Sequence, residues 1–214
     1  MLRLRLRFSR GEEVKFLSHL DLMRLWERAL RRCGLPLAYS EGFTPHPRIA
    51  LAAPLPVGVT SEAEIMDVFL SRWIAPNSFT NQVRQQLPQG IELMESWSMG
   101  LNVPSLQSQV RFAEYRVELG VDADTQEIEL AINSLLSARE LPWHHVRDTG
   151  VRHYDLRALV DDIWLVDICG SKCILSMRLR CDPAGTGRPE QVVKALGFSQ
   201  CPESIHRTKL ILSQ

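Results

Sequence analysis

Residues 1–8, Met-Leu-Arg-Leu-Arg-Leu-Arg-Phe, alternate apolar and cationic side chains without a break. A side-chain period of two belongs to a β-strand, and wound as a helix the stretch would mix arginine into every apolar face. As a strand it is two-faced. Leu2, Leu4, Leu6 and Phe8 share one side, and Arg3, Arg5 and Arg7 share the other. The first side needs a hydrophobic cover. The second must meet water, a bound anion, or carboxylates on neighbouring strands such as Glu64 or Glu92.

After a turn at residues 9–11, Ser18 stands where a helix N-cap belongs, with Asp21 three residues on. Leu22, Leu25, Trp26, Ala29, Leu30 and Cys33 then recur at helical spacing as one apolar stripe, ended by Gly34 and Pro36. Arg24, Arg28, Arg31 and Arg32 fall off that stripe, so the helix has a basic face. A loop-rich stretch, Tyr-Ser-Glu-Gly-Phe-Thr-Pro-His-Pro-Arg over 39–48, leads into an apolar run over 49–53 and a strand over 62–70. A helix from Pro76 to about Leu87 and a strand over 91–97 complete the order βαββαβ, that of a ferredoxin-like unit.

The second half repeats the order: a strand over 110–119, a helix entered at Asp122 and running to about Arg139, and a short strand over 143–147. A hairpin of 162–169 with 172–181 turns at Gly170-Ser171, Arg188-Pro189-Glu190 opens a helix that ends near Gly197, and 205–212 is a closing strand. Residues 101–109 are polar and contain Pro104, the composition of a linker. The expected fold is α+β: two tandem ferredoxin-like units with mostly antiparallel sheets, over 1–100 and 110–214. Both helices of such a unit cover one sheet face, so Arg3, Arg5 and Arg7 are expected on the open one.

Charge sharpens the question of what that face meets. The chain balances 25 Lys or Arg against 25 Asp or Glu, yet residues 1–48 hold ten cations and five anions. A basic end on a neutral chain suits an anionic partner, and the guanidinium fork matches phosphate and stacks on bases. Open sheets of this type bind RNA. The expected RNA- or anion-binding set is Arg3, Arg5 and Arg7 on the strand, Arg24 and Arg28 on the helix, and Tyr39, Phe43, His46 and Arg48 in the loop. Arg188 and Arg207 join it from the second half. Solvated or ion-paired arginines are the competing reading.

No apolar run approaches the roughly eighteen residues of a membrane span, and the alternating N-terminus does not match a signal peptide. Five cysteines at irregular spacings point to a reducing cytoplasm rather than a disulfide framework. Cys169-Gly-Ser-Lys-Cys173 offers the first spacing of the C-x₃-C-x₂-C loop that holds a radical SAM cluster, but position 176 is serine. Cys181 adds no zinc spacing, and His144-His145 alternate faces on a strand. No metal and no cofactor are expected. His46 and His19 are the candidate catalytic bases, because imidazole titrates near neutrality. Pro45 and Pro47 equally suit a loop in which the ring only packs. Gly185-Thr186-Gly187-Arg188 lacks the Lys-Ser/Thr of a P-loop and the third glycine of a dinucleotide fingerprint. It reads as a helix-start turn or an anion site.

Three stretches, Phe16-Leu-Ser-His-Leu-Asp-Leu-Met-Arg24, residues 39–48, and Ala53-Pro-Leu-Pro-Val-Gly-Val-Thr-Ser-Glu62, resemble the radical-SAM-associated domain family. Gly185–Val193 and Ile205–Leu210 resemble its C-terminal signatures, so the likeness covers nearly the whole chain. Members of that bacterial family occur alone or fused after cobalamin-binding radical SAM proteins, often near ribonuclease and ribosomal-protein genes. The resemblance implies a radical SAM partner and an RNA context, and it supplies no reaction.

The sequence therefore points to an accessory RNA-binding protein rather than an enzyme. It would work with a radical SAM RNA-modification system, with tRNA or ribosomal RNA as partner and no membrane. Two rival readings stay open: an RNA-processing or RNA-modifying enzyme acting through His46 or His19, and a protein-interaction module that docks the radical SAM partner.

Overall fold

The computed structural model of the chain describes residues 1–121, 124–147 and 150–213. It divides into two compact units, Met1–Val110 together with Ser213, and Arg111–Leu212. The chain is mixed α/β, its strands pairing mostly antiparallel.

The first unit contains β1 (Leu2–Arg10), α1 (His19–Arg32), β2 (Ile49–Leu51), β3 (Thr60–Leu70), α2 (Pro76–Arg84), β4 (Ile91–Met99) and the single turn α3 (Leu106–Gln109). β1 is central, paired antiparallel to β3 on one edge and to β4 on the other, and β2 adds antiparallel to β3. The period-two pattern of β1 is obeyed. Leu4, Leu6 and Phe8 are fully buried and pack with Trp26 and Leu30 of α1 and Phe79 and Val83 of α2. Phe8 and Trp26 meet edge to face, with ring centroids 4.8 Å apart. α1 begins where its cap predicts. The Ser18 hydroxyl accepts the Asp21 backbone N–H at 3.2 Å.

Irregular pairing after Arg7 and again after Phe8 marks bulges at the end of β1. Beyond them Arg10 is fully buried and donates to the carbonyls of Val14, Leu55, Lys15 and Leu17. One guanidinium thus satisfies backbone oxygens of two loops. Nothing in the alternation of residues 2–8 announces this inward turn.

The opposite face departs from expectation. Arg3 and Arg5 are each only 3% exposed, because residues 103–109 fold back over them. Arg3 donates to the carbonyls of Val103 (2.6 Å) and Pro104 (2.9 Å), and Arg5 donates to Gln109 Oε1 (3.1 Å). Gln109 in turn donates to Pro104 O, and Gln107 to Leu51 O. Residues 101–109, expected as a linker, belong with the first unit. Arg3 binds two of their backbone carbonyls, and Arg5 binds the Gln109 side chain.

The carboxylate that balances the two arginines is Asp67, buried on β3. Its Oδ2 accepts from Arg3 Nε (2.9 Å), Arg3 Nη2 (2.6 Å) and Arg5 Nη2 (3.1 Å), and its Oδ1 accepts from Arg5 Nε (2.8 Å). Glu64 and Glu92 do not serve. Glu64 stands opposite Phe8, on the helix-covered face, and Glu92 stands opposite Ser9. Only Arg7 stays exposed, in an ion pair with Glu95 at 2.8 Å.

The second unit contains β5 (Val110–Gly120), α4 (Thr125–Ser137), β6 (Pro142–Arg147), β7 (Gly150–Asp155), β8 (Val160–Cys169), β9 (Lys172–Asp182), β10 (Gly185–Thr186), α5 (Pro189–Ala195) and β11 (Ser204–Leu212). β5 is central between β9 and β11, and β9 carries β8 and β10 on its other edge. Each unit therefore places its first strand between a later hairpin strand and its last strand. β6 and β7 form a separate two-stranded hairpin, and β7 was not apparent in the sequence. α4 starts at a capping box between Asp124 and Glu127. The expected start at Asp122 lies outside the described residues.

Among the described residues Asp67 is the only carboxylate that Arg3 and Arg5 touch. Asp67→Ala should lower stability by about 3–5 kcal/mol, since it leaves two buried guanidinium groups uncompensated. Urea denaturation of the purified variant measures this, and a loss under about 1 kcal/mol contradicts the assignment.

Candidate nucleic-acid interface

Residues 38–48 leave the core of the first unit as a pinned arm. At its foot the Ala38 N–H donates to Phe69 O (2.8 Å), the Arg48 N–H to Ala38 O (2.8 Å), and the Phe69 N–H to Arg48 O (3.0 Å). One step further out Tyr39 bridges Pro47, and the Ser40 N–H donates to His46 O at 2.9 Å. The Ser40 hydroxyl accepts the His46 N–H at 3.1 Å. Two proline rings, at 45 and 47, remove donors that would otherwise need partners. Gly42 sits at φ +136°, where side chains are disfavoured, and makes the tip turn. The outcome is a short hairpin whose base is ordered by backbone bonds and whose tip, residues 40–46, is solvent-exposed throughout.

Phe43 caps this arm with its ring wholly in water, and Tyr39 is about half exposed. An aromatic ring held out on a braced backbone has no core contact to lose. Its face is open to a planar stacking partner. At the foot, the Arg48 guanidinium lies over the Phe69 ring, 4.6 Å from its centroid. The ring orients the cation while the residue stays exposed. His46 Nδ1 lies 3.9 Å from a Glu27 carboxylate oxygen on α1, and Arg31 lies 4.0 Å from the same oxygen. The arm therefore leans toward the basic face of α1. On that face Arg28 is exposed and has no ion-pair partner among the described residues.

The expected site residues separate into three groups. Tyr39, Phe43, His46 and Arg48 share the arm, with Arg28 on the helix it leans toward. Arg24 is exposed but paired with Asp21 at 3.3 Å. The Ser18 hydroxyl, hydrogen-bonded to Asp21 at 2.7 Å, holds that carboxyl below its ordinary range, with Arg24 assisting. Arg3 and Arg5 are interior and cannot reach a ligand. Arg7 faces water beside Glu95. His19 is exposed on the first turn of α1, eight residues and roughly 12 Å of helix from the Glu27 turn where His46 sits. Those two histidines do not meet.

In the second unit Arg207 is fully buried and donates to the Tyr115 hydroxyl at 3.1 Å, an interior role that removes it from any surface site. Arg188 is exposed and lines a cavity of that unit. The reading of the sequence missed Arg72 and Trp73. Both are exposed just after β3, where Ser71 N–H donates to Pro36 O and Leu70 pairs with Leu37 near the arm's foot. An Arg-Trp pair one residue beyond an apolar strand was the available signal.

The cysteine motif is resolved by register. Cys169 stands opposite Lys172 and Cys173 opposite Ile168, so the two thiols point to opposite faces of the β8–β9 hairpin. Cys173 and Cys181 share a face but lie eight residues apart on β9, roughly 26 Å. Among the described residues no three His, Cys, Asp or Glu side chains converge as metal ligands. His144 faces His153 across the β6–β7 hairpin with ring centroids 6.3 Å apart, and the side chain of His145 lies outside the described residues. No helix among the described residues is long and apolar enough to cross a membrane.

The model of a family described as "Uncharacterized protein conserved in bacteria (DUF2344)" matches residues 3–189, and the chain belongs to that family. No curated protein matches it in sequence. Among solved structures, it is similar to a chain of the "Cbf5-Nop10-Gar1 Complex" (TM-score 0.56, 11% identity, 97% of this chain and 48% of that one). It is also similar to a chain of the "H/ACA RNP bound to a substrate RNA containing 2'-deoxyuridine" (TM-score 0.52, 10% identity, 97% and 47%). A third similarity is to the archaeal box H/ACA sRNP Nop10-Cbf5 complex (TM-score 0.51, 11% identity, 95% and 46%). The chain spans about half the length of the solved chains it matches.

Burial pushes the Cys173 thiol up to about 11, whereas Cys169 and Cys201 are exposed. Maleimide labelling at about pH 7.5, a little below the ordinary thiol range, should modify Cys169 and Cys201 in the native protein and Cys173 only after unfolding. Rapid native labelling of Cys173 contradicts the described burial.

Proposed function

We propose that this member of the DUF2344 family is an accessory RNA-binding protein that grips unpaired RNA through the arm of residues 39–48 and the adjoining face of α1. The observation that carries the reading is the fully exposed Phe43 on a braced hairpin, with Arg48 held over Phe69 at its foot. Base stacking on an exposed ring is tolerant of sequence, and a nearby guanidinium takes the phosphate of the same nucleotide. Arg28, His46 and Arg72 extend the basic surface on either side.

The fold likeness supports the same direction at the level of context. Two of the similar solved chains come from complexes titled as H/ACA RNPs, one of them holding a substrate RNA. The tandem repeat of strand order supports reading both units as variants of one ferredoxin-like βαββαβ plan, a frame whose loops and sheet faces are used for RNA elsewhere. A radical SAM enzyme as the working partner, and tRNA or ribosomal RNA as the bound molecule in the cytoplasm, complete the proposal. The partner rests on the sequence resemblance alone.

Fluorescence anisotropy with labelled tRNA and a ribosomal RNA fragment tests this. Phe43→Ala should weaken binding by about 1–3 kcal/mol, the worth of one stacked base. Arg48→Ala should weaken it and shrink the log–log salt slope by about 0.7. Both variants should keep the native melting temperature, since neither residue belongs to the core cluster. Affinity and slope unchanged in both variants sink the proposal. RNA cleavage or modification that vanishes in His46→Ala replaces it with the enzyme reading.

A further inference from the structure

The second unit contains a cavity of about 230 Å³ between the β6–β7 hairpin, β10 and the start of α5. Three arginines line it, Arg152 from β7, Arg180 from β9 and Arg188 just ahead of α5. Arg180 Nε donates to Asp182 at 2.7 Å, so that charge is balanced locally. Asp182 also accepts the backbone N–H groups of Ala184 and Gly185, which fixes the turn into β10. Arg152 and Arg188 are exposed and form no ion pair among the described residues. The acidic lining residue is Asp155, and its Oδ1 already accepts the N–H groups of Leu141 and Arg157.

The two glycines of the Gly185-Thr186-Gly187 stretch have a packing reason. A Cβ on Gly185 would lie 2.6 Å from Leu159 Cδ2, and one on Gly187 would lie 2.8 Å from Leu159 O. The close approach seats this segment against Leu159, and Thr186 and Arg188 line the cavity beside it. On the far wall the Tyr154 hydroxyl donates to Gln191 Oε1 at 2.6 Å, which ties the hairpin to α5. The cavity thus combines two unbalanced guanidinium groups, a hydroxyl donor and an apolar wall from Ala158 and Leu159.

We propose that this cavity binds a terminal phosphate monoester together with the small organic group that carries it, with Arg152 and Arg188 as the phosphate clamp and Thr186 as a further donor. A dianionic phosphate monoester matches two planar guanidinium forks better than a carboxylate or a phosphodiester does. The volume lies below the usual range for drug-sized ligands, so it holds a phosphate with a sugar-sized group, and the rest of a larger ligand extends out of its mouth. The phosphate can come from a free mononucleotide or from the 5′ end of an RNA. The inference stands on the second unit alone and does not depend on the arm of the first.

Isothermal titration with the full chain separates the outcomes. The probes are inorganic phosphate, adenosine 5′-monophosphate, adenosine, and one short RNA carrying either a 5′-phosphate or a 5′-hydroxyl. Adenosine monophosphate should bind and adenosine should not. In the double variant Arg152→Gln, Arg188→Gln that affinity should fall roughly tenfold to a hundredfold, the loss expected for charge-assisted hydrogen bonds. A preference for the 5′-phosphorylated RNA that the double variant abolishes assigns the site to an RNA end, and tighter mononucleotide binding assigns it to a free ligand. Should the double variant misfold, Thr186→Val serves as the second variant and should weaken the monophosphate several-fold with an unchanged melting temperature. Equal affinity for adenosine and its monophosphate, no binding by any phosphorylated probe, or affinities indifferent to these substitutions overturns the proposal.

Discussion

Asp67 organises the first unit. Four hydrogen bonds of 2.6–3.1 Å tie its two oxygens to Arg3 and Arg5 in a buried site that carries two positive charges and one negative. A charge imbalance of that kind is tolerable in the interior only if the remaining guanidinium protons find dipoles. Val103 O, Pro104 O and the Gln109 side chain supply them. The triad therefore does two things at once. It specifies the register of β1 on β3, since a one-residue slip would turn Arg5 toward the leucine core. It also draws residues 103–109 down over the sheet. The cover closes a face that would otherwise be the obvious place for a phosphate backbone and displaces the proposed recognition site to the periphery.

That displacement explains what could be read from residues alone. The strand at residues 2–8, the Ser18 cap, the apolar stripe of α1 and, in the first unit, the βαββαβ element order all follow from local periodicity and capping. They appear where those rules place them. Which face of β1 the arginines take was equally legible. What covers that face was not, because it depends on a segment a hundred residues away whose composition reads as linker. A polar stretch with a proline is the composition of a flexible connector, but its free carbonyls are also ideal partners for buried arginines. Asp67 carried no signal of its own. It sits among Ile65, Met66, Val68 and Phe69 as a single acidic residue in an apolar strand, and only the pairing of β3 with β1 puts it opposite Arg5.

The loop of residues 39–48 was legible as a braced, exposed turn because its chemistry is local. Glycine, two prolines and an aromatic in one connector make a braced turn whatever surrounds it. Its approach to α1 was not legible, since His46 and Glu27 meet only through tertiary folding. The second unit shows the same limit. Gly185 and Gly187 look like the preface to a phosphate-binding helix, yet their physical reason is contact with Leu159, and α5 is too short to act as an anion site. The cavity beside them depends on Arg152, delivered by the β6–β7 hairpin that periodicity did not reveal.

The central claim is that RNA meets the first unit at the arm rather than on the sheet face. Ultraviolet crosslinking to bound cellular RNA, followed by trypsin digestion and mass spectrometry, locates the contact directly. The account predicts nucleotide adducts on the peptide of residues 33–48, at Tyr39 or Phe43, and none on the residues of β1. Adducts confined to β1, or recovered elsewhere with the 33–48 peptide unmodified, would contradict it.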